Sequence, residues 1–352
     1  MNNAQTAPKV TKETKNKIRV DFERTPFWDR VKAKLVNLYT LKKVVWYLFR
    51  FLLLLGISYV ILFPFFSKIS SSFMGREDFV DVTVRLIPKH PTLDIYRAII
   101  KDNSYLTALL NTFILSLTCG LIQTFVCCFI AYGFARFKFK GNKLLFLCVI
   151  FTMVVPHTTL QLSLFMKFRY FDIFNIMKFL GGGVIDAINI TGGETSINMI
   201  NTHWPLYILS VTGLAYKNGL FIFMLRQFFR NLPAELEESA CLDGAGVFKT
   251  FVSIILPLSV TMMITVFMFS FCWQWTDKFY TSLLFTTAGE PLLPKIIKIP
   301  KSLDTQYAGQ SLYTAAINNT AGILIIAPLI VLYLFGQKYI VQGIESSGLT
   351  AQ

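Results

Sequence analysis

The stretch Thr107–Phe134, TALLNTFILSLTCGLIQTFVCCFIAYGF, runs for 28 residues without a Lys, Arg, Asp or Glu. Wound as an α-helix at about 1.5 Å per residue, it is long enough to cross the ~30 Å hydrocarbon core of a bilayer. It is too long, and lacks the alternation, for a strand of a membrane barrel. A helix this apolar needs an apolar solvent, so the segment reads as a transmembrane span.

Five further runs read the same way. They are Val44–Phe66, kinked or ended by Pro64; Leu144–Phe165, interrupted near Pro156; Trp204–Leu225, with Lys217 inside it; Leu258–Trp275 or a little beyond; and Ala316–Phe335, carrying Pro328. Of the 352 residues, 54% are hydrophobic and only 15% charged, with a mean hydropathy of +0.53. A soluble domain of this length would need more charged side chains to cover its surface. The expectation is an all-α integral membrane protein with six transmembrane helices.

The net charge of +14 is concentrated where it can orient spans. The polar leader, residues 1–43, carries eleven Lys and Arg against four acids. With that leader inside, inner segments hold nineteen Lys and Arg and outer segments twelve, and the short Arg136–Lys143 loop is the clearest contributor. Both termini are then expected in the cytoplasm. No basic surface interleaved with aromatics is left over for a nucleic acid. The leader exceeds 40 residues and no small-residue cleavage site follows Val44–Phe66, so that run reads as an uncleaved span rather than a signal peptide.

Chemistry-bearing motifs are sparse. The six cysteines (Cys119, Cys127, Cys128, Cys148, Cys241 and Cys272) show no metal spacing and read as buried, reduced thiols. His90, His157 and His203 are scattered singly, so no metal site and no catalytic residue is expected. No Gly-x-x-x-x-Gly-Lys-Ser/Thr cradle is present, nor a buried chain of acids and histidines of the kind proton-driven carriers use. Of the outer loops, Ser67–Leu106 contains an amphipathic stretch, Leu93–Ile100. Lys167–His203 is a turn-rich insertion punctuated by Gly181–Gly183, Gly192 and Gly193.

The most specific segment lies between the fourth and fifth spans: RNLPAELEESACLDGAG, Arg230 to Gly246, running on to Ile254-Ile-Leu-Pro257. It reads as two short helices around a bend. Pro233 suits a first helical turn, and Glu235, Glu237 and Glu238 complement the dipole at that end. Gly244 and Gly246 permit a sharp turn, and a second helix, Val247–Ile255, leads to Pro257. The product is a knob, acidic at its start and apolar along one side, suited to docking.

Glu238-Ser239-Ala240, Gly244 and Ile254-x-Leu256-Pro257 resemble the Glu-Ala-Ala loop of binding-protein-dependent ABC importer permeases. Spacing agrees throughout, Ser239 replaces the middle Ala, and Asp243-Gly244-Ala245 is also typical. Asn111-Thr112, Ala131-Tyr-Gly-Phe-Ala-Arg-Phe137, Arg226-Gln-Phe-Phe229 and Gln337-Lys-Tyr-Ile-Val-Gln-Gly343 are similar to the carbohydrate-uptake, MalG-like branch. The resemblance implies a MetI/MalG-like permease fold. It divides the chain into the leader 1–43, a six-span permease domain 44–341 with coupling loop 229–257 and an outer insertion at about 167–203, and a tail 342–352. The insertion and the leader exceed the usual pattern.

The resemblance also implies partners: a second homologous permease, two ATPase subunits, and an extracytoplasmic sugar-binding protein. ATP and Mg would be used by those partners, and this chain would bind no cofactor. In such a complex Glu238 pairs with a basic group of the ATPase, Gly244 supplies the bend, and Ala240 and Ala245 allow close contact. The tail Gly348–Gln352 is similar to tails that reach the ATPase interface. A sugar or oligosaccharide is the implied cargo; a peptide, a polyol phosphate, or an ATP-independent carrier are the alternatives.

The stretch Cys272–Tyr280 resembles the family's Trp-Asn-Asp segment, with Thr276 and Lys278 departing from it. Aromatic faces beside amide and carboxylate groups suit sugars, which places Trp273, Gln274, Trp275 and Asp277 near a pathway. An equally available reading makes the tryptophans an interfacial belt and pairs Asp277 with Lys278. Asn218, next to Lys217, is a further pathway candidate; a helix break or a snorkelling Lys217 is its alternative.

Overall fold

The computed structural model describes residues 10–12, 19–20, 38–172, 197–286, 291–303, 305–306 and 310–346. The insertion glycines Gly181–Gly183, Gly192 and Gly193 and the tail Gly348–Gln352 lie outside the described residues. The chain divides into two compact units, Met1–Ser67 and Lys68–Gln352.

In the first unit the leader contains a short antiparallel pair, β1 (Val10–Lys12) and β2 (Arg19–Val20). Helix α1, Leu38–Ser72, starts there and extends beyond the expected span at both ends, running through Pro64 rather than stopping at it. A proline removes one ladder hydrogen bond, which membrane helices tolerate more readily than soluble ones. Lys42–Phe66 is exposed throughout and apolar around its circumference.

The second unit is built around α3, Tyr105–Arg136. Ala108, Thr112, Ser116, Gly120, Thr124 and Cys128 recur every four residues on it, and all are buried. Small side chains along one such ridge let neighbouring backbones approach, which is how helices associate where lipid removes the hydrophobic incentive. Against α3 pack α6 (Trp204–Val211), α7 (Asn218–Asn231) and α10 (Val260–Trp275). Helix α12, Gln310–Ser346, packs on α10, where Gly343 and Gly336 lie so close to Thr265 and Met268 that a Cβ would not fit. The amphipathic stretch forms α2, Asp94–Asp102, burying Ile95 and Ile99 against Tyr313 and Ile317 of α12.

Pro328 lies inside α12 and cannot donate to the carbonyl of Leu324. The Tyr105 hydroxyl donates to that carbonyl at 2.9 Å, and the Trp275 indole N–H donates to the next, Ile325, at 3.0 Å. The one acceptor that the proline leaves without its ladder donor is thus met by the Tyr105 hydroxyl, with the Trp275 N–H on the neighbouring carbonyl.

The spans differ from the expected ones in continuity. Among the described residues, α1, α3 and α12 are each long and apolar enough to cross alone. The third is a bent pair, α4 (Asn142–Val154) and α5 (Gln161–Arg169), turning 94° at Pro156. The fifth, α10, is preceded by α9 (Val247–Leu258) at 75°, for five spans at most when each bent pair counts once. The fourth is split into α6 and α7 by Thr212–Lys217, where Gly213 and Lys217 take φ of +74° and +68°. Only joining those halves restores six.

The cysteines also depart from expectation. Cys119, Cys127 and Cys128 are buried, but Cys148 and Cys241 are exposed and Cys272 is half-buried; all six are free thiols.

Candidate functional site

Two places concentrate function-bearing side chains. The first is the knob. Helix α8, Glu235–Leu242, begins after Ala234, whose carbonyl accepts from the N–H groups of Glu237 and Glu238 at 3.0 and 3.1 Å. Pro233 stands just outside the helix rather than in its first turn. At the other end Ala245 N–H returns to the Ala240 carbonyl at 2.9 Å and Gly244 N–H to Cys241 at 3.0 Å, with Gly244 at φ +77°. This is a left-handed helix cap, for which glycine is the favoured residue. Gly246, at φ −71°, is in ordinary extended backbone, so the turn needs only the first of the two glycines.

Within α9 the residues Phe251–Ile255 form a widened π turn just ahead of Pro257, whose missing N–H interrupts the α ladder. Phe251 and Ile255 are buried against Tyr132 and Phe229, with Ile254 and Leu256 half-buried beside them. Ala240 is buried and Ala245 half-buried, while Glu238, Ser239, Asp243, Gly244 and Pro257 are exposed. Leu242 is 89% and Phe248 72% exposed, two large apolar side chains held out on a polar loop.

The knob is also fastened from behind. Arg136, the last residue of α3, donates from Nη2 to the Leu232 carbonyl at 2.8 Å. Its Nε approaches Glu237 Oε1 to 2.9 Å as an ion pair without an aligned hydrogen bond. The two side chains are only 14% and 23% exposed. Arg226 lies over the Phe146 ring at 3.9 Å, and its Nε donates to the Phe134 carbonyl at 3.4 Å. The motifs Ala131–Phe137 and Arg226–Phe229, far apart in sequence, therefore meet at the base of the knob. Asn111 and Thr112 act elsewhere: the first donates to the Pro291 carbonyl at 3.2 Å, and the second accepts from Leu293 N–H at 2.9 Å.

The second place is a layer of breaks. Helices α4, α7 and α10 all rise from the knob end, with 13, 14 and 16 residues. At about 1.5 Å per residue they are about 20–24 Å long, each too short to cross a ~30 Å core alone. Irregular backbone at that depth is tolerated where it is buried in protein or lines a cavity. A cavity of about 720 Å³ opens there, its wall including Thr152, His157, Tyr216, Lys217, Phe279 and Tyr280.

The Tyr280 hydroxyl lies 3.3 Å from His157 Nδ1, and the His157 and Tyr216 rings are 4.7 Å apart. Lys217 Nζ is 4.8 Å from the Tyr216 ring centre and 5.1 Å from that of Trp273, and those two rings meet edge to face at 5.4 Å. A void of about 10 Å³ beside them is lined by Gln123, Ser270, Trp273, Gln274 and Asp277, with Tyr216 and Tyr280 shared. Gln123 there accepts from Ser270 Oγ at 2.8 Å and donates to Ser210 Oγ at 3.2 Å, tying α3, α6 and α10.

Trp273, Gln274 and Asp277 are thus brought together, with the buried Gln274 Nε2 left without a partner. Asp277 accepts from the N–H groups of Tyr280 (3.3 Å) and Thr281 (3.0 Å), capping α11, Phe279–Leu284, instead of pairing with Lys278. Trp275 stands apart: it is 1% exposed, stacked on Phe271 and bonded to α12. Asn218 is buried at the start of α7, its carbonyl 3.8 Å from Cys127 Sγ and its side-chain amide unsatisfied, behind the cavity wall. His157, Tyr216, Tyr280 and Gln123 were not anticipated; the Pro156-His157 interruption was the available signal. Among the described residues no cluster of His, Cys, Asp and Glu fits a metal ion.

Residues 123–346 match the family described as binding-protein-dependent transport system inner membrane component. The galactooligosaccharides transport system permease protein GanQ of Bacillus subtilis is 28% identical over 305 residues, 86% of this chain and 94% of that one. The trehalose transport system permease protein SugB of Mycobacterium tuberculosis is 28% identical over 267 residues, 75% and 84% of the two chains. A crystal structure of a bacterial ABC transporter involved in the import of the acidic polysaccharide alginate contains a chain of the same fold. Its TM-score is 0.61 at 18% identity, covering 90% of this chain and 99% of that one.

Proposed function

The chain belongs to the binding-protein-dependent transport system inner membrane component family, and on that premise we propose that it is the subunit through which an ATP-driven importer passes a saccharide into the cell. As a permease subunit of an ABC importer it works with a separate ATPase and a substrate-binding component, which sets the ATP-independent carrier aside. The finer assembly belongs to the proposal: a second homologous permease, two ATPase subunits, a sugar-binding protein outside, and both termini in the cytoplasm of a prokaryotic cell. ATP and Mg are bound by the ATPases.

The observation that carries the mechanism is the exposed knob. Among the described residues Glu238 has no ion-pair partner, and none of them covers the apolar surface that Leu242 and Phe248 offer beside it. The ATPase supplies the missing cleft and the basic group. When ATP draws the two ATPases together, the knobs follow. Because Arg136 and Glu237 join α8 to α3, that displacement reaches the layer of breaks, which alternately opens to each side. Relatives named for galactooligosaccharides and trehalose, and a cavity walled by Tyr216, Phe279 and Tyr280 with Trp273 behind it, support a saccharide over a peptide or a polyol phosphate. Aromatic faces cover the apolar faces of sugar rings, while hydroxyl and amide groups meet their rims.

The test is a purified complex in lipid. Glu238→Lys and Leu242→Glu are expected to abolish saccharide-stimulated ATP hydrolysis while the chain stays in the membrane and the knob stays folded. Full stimulation in both variants would contradict the docking role.

A further inference from the structure

A lysine sits in the layer of breaks, and no carboxylate of the described residues is in ion-pair contact with it. Lys217 lies one residue before α7 and therefore ~21 Å along the span from the knob end, in the wall of the 720 Å³ cavity. Among the described residues no carboxylate lies within 4.0 Å of its Nζ. The nearby acid, Asp277, spends its oxygens on capping α11 through Tyr280 N–H, Thr281 N–H and the Thr281 hydroxyl. Among the described residues no Asp or Glu lines the cavity, and His157 is its other basic group. The Tyr216 and Trp273 rings flank the Lys217 ammonium.

Ionisable groups inside a membrane are costly, and they persist where they face a pathway and find a partner there. The backbone points the same way. Lys217 holds a left-handed φ of +68°, which L side chains avoid and glycine adopts freely. A lysine with a strained backbone at a cavity wall, without an ion-pair partner among the described residues, is a functional candidate.

We infer that Lys217 is a specificity residue for an anionic saccharide, and that its ammonium receives a carboxylate of the sugar while Tyr216 and Tyr280 cover the ring. The inference rests on the saccharide-import reading and narrows it to acidic sugars. The ring faces and the charge answer two features that a uronic acid residue presents side by side: an apolar ring face and a carboxylate at its rim.

The experiment uses the whole importer in nanodiscs of zwitterionic lipid, with trigalacturonate and its fully methyl-esterified form as probes in equilibrium binding. The ester keeps the rings and removes the charge. Wild type is expected to bind the acid about tenfold more tightly than the ester, a difference of about 1.4 kcal/mol. Lys217→Met should erase that preference by weakening the acid alone, and Lys217→Arg should preserve it. Equal binding of acid and ester by wild type, or a preference that survives Lys217→Met, overturns the inference. So does loss of the preference on adding phosphatidylglycerol, since Lys217 would then belong to lipid headgroups. If neither probe binds while a neutral saccharide still stimulates ATP hydrolysis, the acidic-sugar inference falls and the import reading stands. If no saccharide of either kind stimulates hydrolysis, the import reading itself falls.

Discussion

The knob and the layer of breaks are the two places proposed to act in transport, yet they are written into the chain in different ways. The knob is contiguous: Pro233 to Pro257 contains its helices, its left-handed cap at Gly244 and its π turn. The layer is assembled from Gln123, Pro156-His157, Tyr216-Lys217 and Trp273–Tyr280, segments spread over more than 150 residues. A local structure leaves a local spacing, whereas an assembled one leaves isolated polar and aromatic residues in apolar runs. The two are joined by α3, which carries Arg136 at one end and Gln123 thirteen residues away, about 20 Å along its axis. The proposed mechanism requires that they move together.

The sharpest way to break this picture is to deform the knob without touching its surface. Gly244→Val forces a β-branched residue to φ +77° although a Cβ there meets open space. Saccharide-stimulated ATP hydrolysis by the reconstituted complex should fall more than about tenfold, a cost of ~1–2 kcal/mol for one residue in that region being enough to reorganise the cap. Membrane insertion and binding of saccharide in the layer should persist. If stimulation survives, the knob's shape does not govern coupling and the two regions act separately.

The next test cuts the link. Arg136→Gln or Glu237→Gln removes one partner of an ion pair that is mostly shielded, and partial exposure keeps the cost near ~1–2 kcal/mol. The expected outcome is ATP hydrolysis that continues without saccharide and responds about fivefold less to it. The exchange Arg136→Glu with Glu237→Arg should restore part of the response, as a double-mutant cycle on the ratio of transport to hydrolysis would measure. Equal loss of basal and stimulated hydrolysis in every variant would point to a damaged fold instead.

Most of the architecture was legible because lipid demands long apolar runs, and the runs around Thr107–Phe134 and Ala316–Phe335 became α3 and α12. The breaks were only half legible. Pro156 announced the bend in the third span, but at Lys217 a helix break was only one alternative beside a snorkelling lysine, since composition does not register a change of φ. Trp275 illustrates the remaining blindness. Beside Trp273 and Gln274 it reads as part of an aromatic pathway, yet a helix turns its side chains by about 100° per residue, so neighbours in sequence face different surroundings. The structure assigns it to the carbonyl of Ile325, an interaction with a residue fifty positions away. Likewise the partner of Glu237 is Arg136, a hundred residues upstream, and no spacing within the loop reports it.

That contrast between adjacent tryptophans gives the next, smaller effect. Trp273, 42% exposed beside the cavity, should tolerate Ala with little loss of stability but with about fivefold weaker saccharide binding, the loss of one aromatic contact. Trp275→Phe should do the reverse: it removes the indole N–H that ties α10 to the Ile325 carbonyl and costs about 1 kcal/mol, read as a lower midpoint in thermal unfolding of the detergent-solubilised chain, with binding unchanged. Matching losses in both assays for both variants would merge the two residues into one role.

The smallest effect tests whether the knob's second glycine matters. Gly246 starts α9 at φ −71° and ψ 161°, a conformation open to any residue, and a Cβ there meets nothing within 4 Å. Its place ahead of the helix suits residues that bond the first free N–H groups, so Gly246→Ser adds a side-chain acceptor where glycine has none. The expected change is a few tenths of a kcal/mol toward stability, with stimulated ATP hydrolysis within about twofold of wild type. A collapse of coupling in Gly246→Ser, with Gly244→Val as the reference, would mean that the second glycine is needed for close approach by the ATPase rather than for the bend, because the free chain supplies no steric reason for it.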